Sequence, residues 1–136
     1  MLKLIVGKKG TGKTKLLISM VNDAVAKSDG KVVCIEKGKK LTYDIHHGAR
    51  LIDTEAYNIA GYDVFFGFLA GVTAGDFDVN EVYVDSVLKI CGSDRVKLAE
   101  FLDKINRLSE QDNVTFIFTV SADEEELPDT AKKYIA

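Results

Sequence analysis

The stretch Gly7-Lys8-Lys9-Gly10-Thr11-Gly12-Lys13-Thr14 decides the fold of this chain, because it matches the pattern G-x-x-x-x-G-K-[ST] at every specified position. A short β-rich segment, Leu2-Lys3-Leu4-Ile5-Val6, precedes it, and a segment whose apolar residues recur at helical spacing comes after it. Successive backbone N–H groups of such a glycine-rich turn point inward and bind an anion. The next helix adds its free N-terminal N–H groups and the positive end of its dipole. The stretch therefore predicts that the chain binds a nucleoside phosphate.

Particular residues of this loop, residues 7–14, have expected roles. Lys13 is expected to reach the β- and γ-phosphates, and the Thr14 hydroxyl is expected to ligate Mg²⁺. The glycines let the backbone close tightly and approach the phosphates. The alternative is a chance match in a flexible turn, which the strand before and the helix after disfavour. We therefore assign the whole loop to phosphate binding: Gly7, Lys8, Lys9, Gly10, Thr11, Gly12, Lys13 and Thr14.

Composition bounds the class of protein. The chain has 136 residues, 46% of them hydrophobic, which fits a single domain over residues 1–136 with an ordinary core. A net charge of −3 argues against nucleic acid and anionic membranes as partners. No apolar run is long enough to span a membrane, and Gly7 and the lysines interrupt any signal-peptide layout. The expected location is the cytoplasm.

Cys34 and Cys91 have no metal-binding spacing with each other or with His46 and His47, so we expect buried, reduced thiols.

Apolar spacing predicts the first βαβ unit. A helix is expected from about residue 13 to 28, with Gly30 in a left-handed position after its end. The segment Lys31-Val32-Val33-Cys34-Ile35-Glu36 then reads as a buried strand parallel to the first. Lys37-Gly38-Lys39-Lys40 comes next as a basic loop at the sheet edge that carries the 7–14 loop. The alternative for this loop is a plain solvated turn.

The remaining elements complete an α/β pattern. Residues 50–53 are either a short strand or an extended crossing segment, and Asp53 or Thr54 is expected to cap the next element of the chain. A helix is expected over about residues 62–73, with Gly67 and Gly71 against the sheet or, alternatively, against a second copy. A helix capped by Ser93 or Asp94, a strand over residues 113–120 and a short helix over 128–135 come after it, the acidic run 123–126 capping the last. The predicted fold is a three-layer αβα sandwich with a mainly parallel sheet of four or five strands.

A second motif lies in the strand Glu81-Val82-Tyr83-Val84-Asp85-Ser86. Apolar residues that run into one aspartate form the Walker B pattern, in which the carboxylate holds Mg²⁺ through water. One strand separates this motif from the 7–14 loop along the chain. Because the two motifs complement each other, we predict that Thr14 and Asp85 are the metal-site residues.

These features resemble the P-loop NTPase superfamily over nearly the whole chain, and Glu36 resembles its RecA-like branch in particular. In that branch a glutamate at the end of the second strand polarises the water that attacks the γ-phosphate. The resemblance implies Glu36 as general base, with Lys13 as the other catalytic residue. Ser86, which comes directly after the Walker B aspartate, cannot serve as a base. Thr119, or alternatively Ser121, resembles a position that contacts the γ-phosphate or the water. The alternative for Glu36 is a solvated strand end.

The sequence is also similar to short bacterial P-loop proteins, some of which carry the label twitching-motility protein PilT. We treat that label as inherited from the loop, because the true retraction ATPases are far longer and have further motifs. Two departures narrow the function. Asn106-Arg107-Leu108-Ser109 is not the guanine-recognition motif N-K-x-D, which argues against a GTPase. The only arginines are Arg50, Arg95 and Arg107, too few for the lid of a small-molecule kinase. Arg50 remains a candidate arginine finger, in cis or toward a neighbouring subunit.

The leading expectation is an ATP-binding protein with slow or partner-stimulated, Mg²⁺-dependent ATP hydrolysis. Its ligands would be a nucleoside triphosphate and Mg²⁺, and its partner another protein or a second copy of the chain. Two alternatives stay open: a nucleotide-sensing interaction module without useful turnover, and a small-molecule or nucleoside kinase. Binding of nucleic acid through the loop over residues 37–40 is disfavoured by the overall acidity.

Overall fold

The computed structural model describes residues 1–136, which form an α/β fold with five strands and five α-helices. The strands are β1 (Leu2–Gly7), β2 (Lys31–Glu36), β3 (Ala49–Asp53), β4 (Val79–Val84) and β5 (Thr115–Ser121). The helices are α1 (Lys13–Lys27), α2 (Tyr62–Gly75), α3 (Val87–Cys91), α4 (Arg95–Asp112) and α5 (Asp129–Lys132). Two short 3-10 turns cover Thr54–Tyr57 and Glu124–Glu126.

The strands form one sheet in the order β1-β5-β4-β2-β3, and every neighbouring pair is parallel. The carboxyl ends of all five strands therefore lie at the same edge of the sheet. The parallel α/β sheet predicted from the sequence is confirmed, and residues 50–53 belong to a genuine strand, β3, at one border. This carboxyl edge is where a ligand site is expected, because the loops that come after parallel strands meet there.

Helices cover both faces of the sheet, as expected for a three-layer arrangement. Side chains alternate along β2, so that Val33 and Ile35 pack into one buried cluster while Val32 and Cys34 pack into another. The first cluster lies under α2, α3, α4 and α5, where Phe101 stacks with ring centroids 5.9 Å from both Phe65 and Phe118. The second cluster lies under α1 and the turns after β2. We refer to the sheet surface under α1 as the α1 face.

The two borders of the sheet differ. At β1, the end of the chain adds backbone hydrogen bonds, with Leu4 N donating to Tyr134 O at 2.8 Å and Ala136 N donating to Leu4 O at 2.9 Å. The predicted helix over residues 128–135 is therefore shorter than expected and stops at Lys132, because the last residues run alongside β1 instead. The other border strand, β3, pairs only with β2.

Two expectations about glycines are wrong. Gly30 is not among the residues with positive φ, and its place is explained by close approach, since a Cβ atom there would lie 2.5 Å from Asp78 O and from Asn80 Nδ2. Gly67 and Gly71 do not face the sheet; both are exposed, and no atom lies within 4 Å of a Cβ built on either. Their spacing of four residues identified one face of α2, but that face is the outer one.

None of the helices combines the length and the apolar character needed to cross a membrane.

Candidate functional site

The 7–14 loop connects β1 to α1 with the backbone turning through left-handed conformations. Gly10 and Gly12 both have φ of +85°, a region that residues with a side chain rarely adopt. Gly7 lies so close to the far side of the loop that a Cβ atom would come 2.8 Å from Thr11 Oγ1. These glycines thus allow the loop to fold back on itself at the carboxyl edge of the sheet.

The first turn of α1 has no side-chain cap, with Gly12 standing at the cap position. At α4, by contrast, the Asp94 carboxylate accepts hydrogen bonds from Val96 N and Lys97 N. The first N–H groups of a helix need an acceptor from outside the helix. Those of α1 have none from a side chain, which leaves them available to an anion held by the loop.

Lys13 lies across the loop rather than reaching into solvent. Only 9% of the residue is exposed, and its ammonium donates to Lys8 O at 2.8 Å and to Thr11 Oγ1 at 3.4 Å. The Lys8 side chain points elsewhere, within 3.7 Å of Asp123, and Lys9 is exposed. Lys13 is therefore the lysine of this loop whose charge is directed inward.

Thr14 and Asp85 meet, although they lie 71 residues apart in the sequence. The Thr14 hydroxyl lies 3.1 Å from Asp85 Oδ1 and 3.3 Å from Oδ2. Asp85 comes directly after β4, and its backbone N–H donates to Ile35 O at 2.9 Å. A hydroxyl and a carboxylate in contact at the mouth of a glycine loop are two oxygen ligands of the kind that Mg²⁺ uses.

Thr119 orients this carboxylate. Its hydroxyl is buried, donates to Asp85 Oδ1 at 2.9 Å and accepts from Ser86 N at 2.7 Å. The predicted contact of Thr119 with a phosphate stays a prediction, since the hydroxyl is engaged with Asp85. Ser121 lies opposite Gly7 in the β1–β5 register, so it borders the loop itself.

Glu36, at the end of β2, is buried with 3% of its surface exposed, so the alternative of a solvated strand end is wrong. Its two carboxylate oxygens accept hydrogen bonds from Lys40 N at 3.1 Å and Leu41 N at 2.9 Å. Burial raises the pKa of the carboxyl group above its ordinary value, the two backbone donors oppose this, and the nearby Asp85 and Asp53 carboxylates raise it further. Glu36 thus combines a perturbed pKa with a structural contact to the loop after β2.

Four polar residues lie at or near the carboxyl ends of neighbouring strands on the α1 face. Thr119, Asp85, Glu36 and Asp53 come from β5, the end of β4, β2 and β3 in that order across the sheet. None of the three carboxylates forms an ion pair with a Lys or Arg side chain. Uncompensated negative charge at this edge is an arrangement that a cation would relieve.

A cavity of about 360 Å³ opens beside Glu36, at the end of the row that is farther from the 7–14 loop. Its walls include Asp53, Thr42, His46 and His47. The sequence predicts Asp53 only as a candidate cap. It does cap the turn after β3, accepting from Glu55 N at 2.9 Å, but it also accepts from Gly38 N at 2.8 Å. The β2–β3 register, which pairs Glu36 with Asp53, is what brings the cavity together.

Arg50 does not join this site within the chain. Its neighbours Ala49 and Leu51 pack on the α1 face, whereas Arg50 lines a groove under α2 with Ile52 and Val72. Because adjacent residues of a strand point to opposite faces, Arg50 lies on the other side of the sheet from Glu36. The expectation of an arginine finger in cis is therefore wrong, while a finger toward a neighbouring subunit stays a prediction.

Neither cysteine is one of the polar residues that form the site, although Cys34 lies only two residues before Glu36 on β2. Cys34 is buried and Cys91 is only partly buried, and burial raises the pKa of both thiols to about 12. Neither thiol is therefore a ready nucleophile. No group of three or more His, Cys, Asp or Glu side chains is arranged to hold a metal ion.

No protein-family model matches the chain, and no curated protein matches its sequence.

Proposed function

We propose that this chain is a P-loop NTPase that binds ATP and Mg²⁺ on the 7–14 loop and hydrolyses ATP, slowly or when a partner stimulates it. The observation that carries the proposal is the 3.1 Å contact between Thr14 and Asp85. The sequence assigned Asp85 to the metal site because its motif pairs with the 7–14 loop, and the contact of the two side chains, 71 residues apart in the sequence, supports that pairing.

The residues at this position suit Mg²⁺ better than a metal held wholly by protein. Mg²⁺ commonly keeps several waters and takes one or two carboxylates together with substrate phosphates, so a cage of three protein ligands is not required. Thr14 and Asp85 would hold the ion, and Thr119 keeps Asp85 in place. When bound, the ion would neutralise charge on the β- and γ-phosphates.

Other groups of the protein would bind the phosphates and accept a proton. Backbone N–H groups of the loop and of the uncapped start of α1 bind phosphate oxygens, and Lys13 exchanges its contact with Lys8 O for a phosphate. Glu36 accepts the proton of the attacking water. Each of its carboxylate oxygens receives one backbone N–H, which leaves lone pairs for this second role.

A binding and turnover experiment tests the proposal. We expect ATP and a non-hydrolysable analogue, each with Mg²⁺, both to raise the melting temperature. Of the two, only ATP should release phosphate over time. An unchanged melting temperature with either nucleotide at millimolar concentration would refute nucleotide binding. Equal stabilisation without phosphate release, even with cell extract added, would favour a nucleotide-sensing module.

The sensing alternative has one observation in its favour. Glu36 already holds the backbone of the loop after β2, and a residue engaged in that way is well suited to transmit the state of the site. The kinase alternative is favoured by the cavity of about 360 Å³ beside Glu36, which is large enough for a small acceptor. Transfer of phosphate from ATP to a member of a metabolite panel would put the kinase first.

Replacing Thr119 with Val is expected to lower the apparent affinity for Mg²⁺, measured through ATP binding, about 10- to 100-fold. This is the usual cost of losing a hydrogen-bond partner of a metal ligand. The substitution preserves shape but removes the donor to Asp85 and the acceptor for Ser86 N. Titration of ATP binding against Mg²⁺ measures the effect. Thr115→Val on the same strand is the matched control, because the Thr115 hydroxyl does not contact the site. Equal Mg²⁺ titrations for the two variants would remove Thr119 from the site.

A further inference from the structure

The segment directly after Glu36, residues 37–47, carries a charge opposite to that of the rest of the molecule. It contains Lys37, Lys39 and Lys40 against the single acid Asp44, a net +2, whereas the whole chain carries −3 and the remainder therefore −5. All three lysines are exposed, and none forms an ion pair within the chain. The overall acidity thus conceals a local basic surface, the 37–47 surface.

Aromatic rings follow these lysines in the same segment. Tyr43 is 99% exposed, and His46 and His47 are exposed with their rings stacked at 4.3 Å between centroids. The His46 ring is held in place, since its Nδ1 accepts a hydrogen bond from Gly48 N at 2.9 Å. Exposed aromatic rings in the same segment as cations suit a single-stranded nucleic acid, because its bases stack on the rings while its phosphates bind the lysines.

The surface is attached at one end to Glu36 of the candidate site and at the other end to helix α1. At its start, Glu36 accepts hydrogen bonds from Lys40 N and Leu41 N. At its end, Asn22 of α1 donates to Asp44 O at 3.0 Å and accepts from His46 N at 2.8 Å. Glu36 therefore contacts this surface directly, whereas the 7–14 loop is linked to it through helix α1.

We propose that the 37–47 surface binds a single-stranded nucleic acid, and that Glu36 couples this binding to the nucleotide site. The docking surface stands independently of the proposed function, whereas the coupling rests on it. Occupation of the surface shifts the backbone of Lys40 and Leu41, and with it the Glu36 carboxylate that those N–H groups hold. Nucleic acid is then the partner that changes the rate of ATP turnover.

Binding is tested first without any nucleotide, by fluorescence anisotropy of a labelled oligo(dT) strand of about 15 nucleotides. If all three lysines meet phosphates, affinity falls about 20-fold between about 50 and 200 mM salt, from a slope of about −0.7 per contact for single strands. Replacing Lys39 and Lys40 with Gln reduces that loss to about threefold. The matched control replaces Lys97 and Lys104, two exposed lysines of α4 on the opposite face, and leaves the slope unchanged.

The stacking contribution is tested separately. Tyr43→Ala is expected to weaken oligo(dT) binding about tenfold, whereas Tyr57→Ala, at a tyrosine that is 58% exposed outside the surface, leaves it unchanged. No binding of oligo(dT) at low salt, or equal binding by wild type and the Lys39/Lys40 variant, overturns the proposal. Displacement of oligo(dT) by polyglutamate together with no effect of Tyr43→Ala also overturns it, in favour of an acidic protein partner.

Coupling is read from ATP turnover with and without oligo(dT). We expect the strand to change turnover in wild type, and the Lys39/Lys40 variant to lose that response. A strand that binds to the surface but leaves a measurable turnover unchanged overturns the coupling alone. Binding of oligo(dT) by a chain that fails to bind ATP refutes the proposed function and leaves the docking surface intact.

Discussion

Lys13→Ala is expected to lower the affinity for Mg²⁺–ATP by about a hundredfold or more, because hydrogen bonds to charged groups contribute about 1.5–3 kcal/mol each and the ammonium makes more than one with phosphate. The side chain is already directed across the loop by its contact with Lys8 O. Little reorganisation is therefore needed before it meets a ligand. Calorimetric titration with ATP in the presence of Mg²⁺ measures the loss.

The fold should survive this substitution. Lys13 has no carboxylate partner in the protein and bonds only Lys8 O and Thr11 Oγ1, so we expect a stability change of about 1 kcal/mol. Thermal unfolding without nucleotide checks this directly. A variant that melts like wild type but no longer responds to ATP separates the binding role from a structural one.

Two matched lysines serve as controls. Lys15 is exposed on the same helical turn and should be replaceable by Ala without loss of affinity. Lys8 belongs to the loop, but its side chain is directed toward Asp123, so only its backbone is expected to serve the phosphate. If Lys8→Ala and Lys13→Ala weaken ATP binding equally, the loop binds through general positive charge and the specific role of Lys13 is refuted.

Local sequence signals are sufficient for the elements around the loop. The β-rich run before it and the apolar spacing after it predict β1, α1 and β2 to within a residue or two, because such patterns depend on near neighbours. Asp94 is likewise recognisable as a cap of α4, since a cap acts within three residues. The short helix α3 escapes prediction, because its five residues are too few to show a periodic pattern.

Contacts between elements that are distant in the sequence are not predicted by local sequence patterns. Strand β5 lies between β1 and β4 in the sheet, and no local pattern encodes which strands become neighbours. The face that Gly67 and Gly71 occupy is mispredicted for a related reason. Helix α2 is apolar nearly all round, with Val64 54% exposed, so periodicity does not distinguish its outer face from its inner one.

The candidate site likewise contains one contact that the sequence predicts and others that it does not. The contact of Thr14 with Asp85 is foreseeable, because each motif specifies its own residue and both lie after strands that end at one edge. The burial of Glu36 and the second role of Asp53 are not. Both depend on backbone N–H groups of a turn whose path is set by the β2–β3 register rather than by residue type.

Glu36→Gln is expected to reduce ATP turnover by about 10²- to 10⁴-fold, the usual contribution of a general base, while ATP affinity changes little. The amide keeps one oxygen acceptor, but its NH₂ group faces a backbone N–H that the carboxylate had satisfied. A loss of stability of about 1–3 kcal/mol is therefore also expected. Steady-state phosphate release and calorimetric ATP titration separate the two effects.

Asp53→Asn is the matched control for this variant. It makes the same change from carboxylate to amide in the neighbouring residue, which holds Gly38 N and Glu55 N but is not the proposed base. Both N–H groups bond the same oxygen, Asp53 Oδ1, which the amide keeps, so we expect a smaller loss of stability than for Glu36→Gln and only a small loss of turnover. If both variants lose turnover equally, Glu36 acts by holding the loop over residues 37–41, and its role as base is refuted.

The pH dependences of stability and of turnover together test whether Glu36 is the base, because the two quantities should change in opposite directions. Burial holds the pKa of Glu36 above 4.5, its ordinary value, so between the two values the folded chain retains a proton that the unfolded chain has released. Relative to Glu36→Gln, wild type should therefore lose stability as pH rises through this window and show no further loss above it. Turnover should rise over the same window, because only the ionised carboxylate accepts a proton. Urea unfolding and phosphate release across a pH series measure both curves, and a turnover that rises while the stability difference stays flat would assign the catalytic titration to another group.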